Sequence, residues 1–344
     1  MLIGCATIGP ESIRSGRMAY NEAITETNNQ QMLMVFVHNR YEESNHLLAV
    51  SSVTANVSMS SRATIQAGFG DGDDYDGNLV PFSGGFIYEE NPTISYTPVT
   101  GETYLRQLTS SVPLQLLAQT TQSFAQPEYA YRALLSSVND IRNPSFLFGS
   151  QQDDPRFDHL VTLMVELTHL HALHWMQQPG NPSDMSLVIT PPTTEAAISA
   201  KKLLALLGLP DEIAQKQERI IPVFTAGQKT SAGGIIVRTN TILNFVEILS
   251  AAVQVPPQDE LDGIAASSPR PGRAGRDIQI RYANSRPESA YVAVEHREGW
   301  FYIGHRDLAT KRYFKLLGSL WSAAMSHAIG ATSSTPVLTV PVSR

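Results

Sequence analysis

From Val50 the chain alternates. Val53, Ala55, Val57 and Met59 share one parity, Thr54, Asn56, Ser58 and Ser60 the other, and the pattern resumes at Ala63, Ile65 and Ala67. A period of two belongs to a strand with one apolar and one polar face. The break GFGDGDDYDGN follows, and then GGFIYEENPTISYTP reads as a returning strand, so the stretch predicts a long β-hairpin with a polar tip. Before it the period is helical: Pro10 can open a helix, Ile13, Arg17, Tyr20 and Ile24 recur at helical spacing, and an apolar cluster runs from Met32 to Val37. The spacing predicts one long helix from Glu11 to about Arg40.

Helical pattern returns near Gly101 with YLRQLTSSVPLQLLAQTTQSF and again with PEYAYRALLSSVNDI. NPSFLFGSQQDDPR, residues 143–156, clusters proline, glycine and polar residues as a domain boundary does. A helix from about Phe157 to Gln177 is predicted next. MSLVITPP, RIIPVFTAG and GGIIVRT read as strands, and TTEAAISAKKLLALLGL and TILNFVEILSAAV as helices, the former stopped by Gly208 and Pro210. Two strands, DIQIRYAN and SAYVAVEHREGWFYI, a last helix, ATKRYFKLLGSLWSAAMSHAI, and an extended tail, TPVLTVPV, complete the chain. The fold class expected is α+β: a long N-terminal helix, a β-hairpin and helices, then a second α+β domain. The expected organisation is an anchor and tether over 1–10, an acidic domain over 11–142, a linker over 143–156 and a second domain over 157–344.

Composition supports two globular parts. The chain has 344 residues, 42% hydrophobic and 17% charged, which is enough apolar material for real cores. Residues 1–150 hold seven arginines, no lysine and fourteen acids, a net of −7, whereas residues 151–344 balance to zero. An acidic front half argues against nucleic acid, whose phosphates need a basic face. No run approaches the roughly 18 apolar residues of a membrane-spanning helix.

The single cysteine, Cys5, excludes an internal disulfide and a multi-cysteine metal site. Leu2, Ile3 and Gly4 precede it, an aliphatic residue followed by permissive positions ending in a small one. This resembles a bacterial lipobox, in which the thiol takes a diacylglyceryl group and the freed amine is acylated. Buried acyl chains, at roughly 0.8 kcal/mol per CH₂, hold a globular domain on a bilayer without a spanning helix. The charged and apolar regions of a signal peptide do not precede it within this numbering. With YNEAITETNNQQMLMVFVHNRYEES and the tail PVLTVPVS, the chain resembles a family of Gram-negative bacterial outer-membrane lipoproteins of unassigned activity. The resemblance implies attachment to the outer membrane through lipid on Cys5, facing the periplasm or the cell surface. Ala6, where an aspartate would divert the anchor, agrees with that address. It implies no catalytic motif.

Candidate chemistry is sparse. ELTHLHALHW gathers Glu166, His169, His171 and His174. Glu166 and His169 have the Glu-x-x-His spacing of di-iron bundles, but no second such helix exists. At about 100° per residue, His171 and His174 turn away from that pair among Leu160, Leu163 and Leu167, so one metal cannot collect all four from a straight helix. Packed histidines and a polar edge are the commoner outcome. DGDDYDGN offers Asp71, Asp73, Asp74 and Asp76 as hard oxygen ligands for Ca²⁺, without the spacing of a twelve-residue calcium loop. A solvated hairpin tip explains it as well. Lys229 and Thr230 lack the glycine spacing of a phosphate loop. GHRD, with His305, Arg306 and Asp307, reads as a capping turn, and Arg270, Arg273, Arg276, Arg281 and Arg286 as a solvated basic stretch that can meet anionic lipid or an acidic surface.

These readings favour a lipid-anchored, non-enzymatic scaffold of an envelope assembly, with protein partners or self-association. One alternative makes the hairpin part of an oligomeric outer-membrane pore or secretion complex, although its apolar face is rich in alanine, interrupted at Ser61 and poor in aromatics. The other is a metal-dependent periplasmic enzyme using the 166–174 histidines. For the anchor, expression of the full gene in a Gram-negative host followed by membrane fractionation decides. Wild type is expected in the membrane fraction with acyl mass on its N-terminal peptide, and Cys5→Ala outside it. Identical partitioning without acyl mass removes the anchor.

Overall fold

The computed structural model describes residues 8–44, 47–65, 82–99, 102–123, 126–144, 154–178, 184–225, 233–267, 277–331 and 338–341. An early long helix followed by mixed helices and sheets makes the fold α+β, as the periodicity predicted. The chain divides into two units, one of residues 1–45 and 101–328, the other of 46–100 and 329–344.

In the first unit, α1 (Ile8–Arg40) buries Leu33, Phe36, Val37 and Arg40, which recur at the helical i, i+3, i+4, i+7 spacing. This stripe packs on α7 (Ile242–Ala251) and on β10 (Ala290–His296), while Met18 in the preceding turns is exposed. α2 (Glu102–Thr109), α3 (Leu114–Ser123) and α4 (Pro127–Leu134) lead into a six-stranded sheet. Its strands are β3 (Leu135–Val138), β4 (Ile141–Arg142), β5 (Leu173–Gln177), β6 (Met185–Ile189), β7 (Arg219–Phe224) and β8 (Ile235–Thr239). They lie in the order β4-β3-β8-β7-β6-β5, and only β7 and β8 are parallel. Every residue of β6 is buried, as befits an interior strand covered on both faces.

Helix starts follow local chemistry. The Asp154 carboxylate accepts from the Arg156 N–H at 3.0 Å, and Pro155 occupies the first turn of α5 (Pro155–His169). Thr193 caps α6 (Thr194–Leu206), and Thr241 with Asn244 forms a reciprocal capping box on α7. A smaller sheet has the order β10-β11-β9, with β9 (Arg281–Ala283) and β11 (Gly299–Gly304). Val292, Val294, Phe301 and Ile303 line its buried face. Short α8 (Pro257–Leu261) precedes it, and α9 (Leu308–Ala331) follows, meeting α1 through Phe36 and Phe314, whose ring centroids lie 6.1 Å apart.

The second unit holds β1 (Leu47–Ile65) and β2 (Phe82–Val99), paired antiparallel from Leu47↔Val99 to Ile65↔Phe82 with one irregularity between Val50 and Ser52. β12 (Leu338–Pro341) adds to β2 opposite Thr93–Tyr96. Among the described residues no helix is long and apolar enough to cross a membrane.

Two expectations change. LSSVNDI is no helical continuation: Leu135 turns extended (φ −78°, ψ 124°), and β3 and β4 follow because their backbone completes the sheet beside β8. The helix expected to reach Gln177 ends at His169, since Leu173 and Trp175 are buried at strand spacing on β5. The segment 143–156, whose residues 145–153 lie outside the described ones, is flanked by parts of one unit, because β3 and β8 pair across it.

Arg156 holds the Asp154 carboxyl below the usual carboxylate range, against a smaller opposing effect of partial burial. A depressed pKa contributes stability above the unfolded value of about 3.9, and that stability is lost as pH falls through the folded value. Asp154→Ala is therefore expected to cost about 1 kcal/mol at neutral pH. The deficit, followed by urea unfolding across pH, should shrink towards zero in strong acid.

Candidate metal centre

The last turn of α1 is closed by a residue in the left-handed region, Glu42 (φ 54°). The Glu43 N–H donates to the His38 carbonyl at 2.8 Å and the Glu42 N–H to that of Asn39 at 3.3 Å. This nested pair is the Schellman arrangement, with glutamate where glycine is usual. It folds the chain back so that His38 and Glu43, which a continuing helix would point apart, lie together.

The third component arrives from the β10–β11 hairpin. His296 ends β10 opposite Gly299, and the two-residue connection begins with Arg297 in the left-handed region (φ 55°). Gly299 is required there: a Cβ would sit 2.2 Å from the Tyr282 ring. Tyr282 in turn stacks edge-on against Phe301, which also lies beside His296 and Tyr41.

His38, Glu43 and His296 thus converge, with their ligand-type atoms within 4.8 Å of one another. Glu43 Oε2 lies 3.2 Å from His296 Nε2 and 4.0 Å from His38 Nε2. The two imidazoles meet edge to face at 5.1 Å. His296 Nε2 is buried and, despite its nearness to Oε2, makes no hydrogen bond. The other carboxylate oxygen, Oε1, accepts from Arg297 Nη2 at 2.7 Å, and that guanidinium lies 4.9 Å over the Tyr41 ring.

Electrostatics prepare the donors. Burial holds His296 below the ordinary imidazole range, although the Glu43 carboxylate opposes this, so the ring favours the neutral form that binds metals. Partial burial would raise Glu43, but the Arg297 hydrogen bond and the Arg297 charge, with the imidazoles adding to it only when protonated, outweigh it and keep the carboxylate ionised. Burial, with a bond from its hydroxyl to Asp259 Oδ2 at 2.6 Å, pushes Tyr41 far above the ordinary phenol range, so it remains a neutral donor. Arg40, 4% exposed, donates to the Glu260 carboxylate and the Ala266 carbonyl, tying the end of α1 to the segment that contains α8.

The anticipated sites fare differently. Glu166 accepts from Ser199 Oγ at 2.6 Å across the α5–α6 contact. His169 is exposed at the end of α5, His171 is exposed in the turn after it (φ 53°), and His174 is exposed on β5. The four do not converge, because the helix ends before the last two. Asp307 caps α9 through Thr310, and Arg286 lies 5.4 Å over the Trp300 ring. Cys5, Asp71, Asp73, Asp74, Asp76, Lys229 and Thr230 lie outside the described residues.

The expectation of a purely structural, non-enzymatic scaffold is overturned by the His38–Glu43–His296 cluster, which supplies a donor set with metal chemistry of its own. Sequence reasoning missed it for a physical reason. Residues five apart do not share a helix face, and His296 is reached only through tertiary structure. The chain matches no family model, and no curated protein or solved structure is similar to it.

Proposed function

We propose that the first unit binds a divalent transition metal through His38, Glu43 and His296 and uses it in hydrolysis. The observation that carries this reading is the buried Nε2 of His296, which has no hydrogen-bond partner and faces an ionised carboxylate oxygen shared with His38. Two imidazoles and one carboxylate form the ligand set of hydrolytic zinc centres, which leave a position for water. Bonds of 2.0–2.1 Å in a tetrahedron place donors about 3.3 Å apart. The His296–Glu43 distance of 3.2 Å already fits that edge, and the His38–Glu43 distance of 4.0 Å needs a side-chain adjustment of less than one ångström.

The chain's own groups have definable roles. Arg297 fixes Glu43 by holding Oε1, which leaves Oε2 for the metal, as outer-layer partners do in metal sites. Tyr41 and Phe301 pack beside the His296 ring and restrict its rotation. A metal in this position would supply a bound water acidic enough to attack near neutral pH.

Titration of the full chain with Zn²⁺ after chelator treatment tests the site. Wild type is expected to take one equivalent, and His296→Ala and Glu43→Gln to bind at least about tenfold more weakly. His169→Ala/His174→Ala should match wild type, and melting curves verify that each variant folds. Hydrolysis of a p-nitrophenyl ester should rise with zinc occupancy in wild type and not in His296→Ala. No binding by wild type, or binding kept by both site variants, removes the metal reading; binding without occupancy-dependent hydrolysis removes the catalytic one.

A further inference from the structure

The second unit presents an unusual sheet. β1 is 19 residues long and β2 is 18, and among the described residues nothing pairs with the outer edge of β1. β12 covers β2 opposite Thr93–Tyr96, and among the described residues nothing pairs with the outer edge of positions 82–92. An isolated two-stranded ribbon is at best marginally stable in water, and two long open edges are templates for further pairing.

The register makes the ribbon two-faced. One face takes the pairs Ile65↔Phe82, Ala63↔Gly84, Ser61↔Phe86, Met59↔Tyr88, Val57↔Glu90, Ala55↔Pro92 and Val53↔Ile94. The other takes Thr64↔Ser83, Arg62↔Gly85, Ser60↔Ile87, Ser58↔Glu89, Asn56↔Asn91 and Thr54↔Thr93. The weaknesses that β1 shows by itself are offset by its partner. Ser61, the gap in the apolar parity, is opposite Phe86, and Phe82 and Tyr88 bring aromatic positions to the alanine-rich side. Glu90 marks the limit of the apolar belt, close to Thr93, where β12 ends with Pro341.

The free edge of β2 covers eleven positions, 82–92, against the about 9–11 residues of a tilted membrane strand. A lone hairpin cannot enter a bilayer, because its two edges would leave backbone groups unpaired in hydrocarbon. We propose that the hairpins of several copies of this chain join edge to edge, the outer edge of β1 on one copy against that of β2 on the next, and close into a membrane-spanning β-barrel. Up-and-down order is preserved at each junction, since β2 of one copy and β1 of the next are antiparallel. Each copy contributes two strands, so the strand number is even, as in bacterial outer-membrane barrels. The apolar positions meet lipid, and the threonine, serine and asparagine positions line the lumen. The occupant of both edges is another copy because the free stretch of β2, 82–92, lies in register with 55–65 of β1, so the edge of one copy offers the other an equally long stretch with the same alternation.

The proposal uses only the second unit and stands or falls apart from the metal centre. The test uses the full chain carrying Cys5→Ala, so that no acyl anchor contributes, mixed with phosphatidylcholine vesicles. A closed oligomer that resists extraction by carbonate and conducts ions across a planar bilayer is expected. Phe86→Lys should lower the inserted fraction on the order of thirtyfold, the effect of a cation at mid-membrane depth. Ser60→Lys, on the lumen face, should insert as wild type does with altered ion selectivity. A cooperative melting transition of each variant, followed by circular dichroism, reports that it is folded. Monomers that leave vesicles untouched, monomers that merely adsorb to them, fibrils formed without lipid, or equal insertion by Phe86→Lys and wild type would each overturn it.

Discussion

The end of α1 depends on an enclosed guanidinium. Arg40 is 4% exposed and donates to Glu260 and the Ala266 carbonyl, while the Ala266 N–H donates back to the Arg40 carbonyl at 2.9 Å. A buried cation costs several kcal/mol unless paired, so the 257–266 segment is held wherever Arg40 is held. One residue on, Tyr41 makes the same connection through Asp259. These anchors fix the position at which the helix must stop, and the left-handed Glu42 gives the reversal its direction. The nearness of His38 to Glu43 is a consequence of that stop. The approach of His296 follows from packing the β10–β11 sheet against the same turn, through Phe301 and the Arg297–Glu43 ion pair.

The donor set is therefore assembled by folding and not by a local motif, which explains what was legible. Long regular elements were: α1, the hairpin, α6, α7 and α9 have periods sustained over many residues and caps such as Thr193 and Thr241 that local chemistry dictates. The short strands β6, β7 and β8 were legible too, but β3, β4 and β5 were not. LSSV continues an apolar helical pattern, and only the waiting edge of β8 makes it extended. HALHW resembles a helix end by the same ambiguity, and burial of Leu173 and Trp175 on a sheet decides it.

The site shows the same division. Histidine density drew attention to 166–174, but density in sequence has value only if one element carries it through, and α5 stops first. His38 and Glu43 stand in a stretch whose glutamate at the helix-ending position hides the usual glycine signal. His296 lies at a strand end before a turn, with an adjacent arginine that gives no hint of a ligand. Three unremarkable residues become a donor set because two left-handed residues, Glu42 and Arg297, each reverse the chain at the required place. Such positions cost on the order of 1–3 kcal/mol and persist only where surroundings over-determine them. Here Arg40, Tyr41 and Phe301 provide that determination.

The two units pose opposite packing problems. The first buries its apolar stripes internally, and its sheet edges end on short strands, β4 and β5. The second has more backbone than partner: a ribbon whose register gathers apolar positions on one face from Ile65↔Phe82 to Met59↔Tyr88, with only four residues of β12 added to one side. In water such a ribbon would expose both an apolar face and two edges, which folded proteins avoid by covering or shortening them. Among the described residues β12 alone pairs with one of those edges, over four positions. A lipid environment removes the penalty on the face, and repetition of the chain removes the penalty on the edges. Either alone leaves the other unsolved, since lipid forbids open edges and paired edges in water still expose the apolar side. The two requirements are met together only when closure and insertion are coupled.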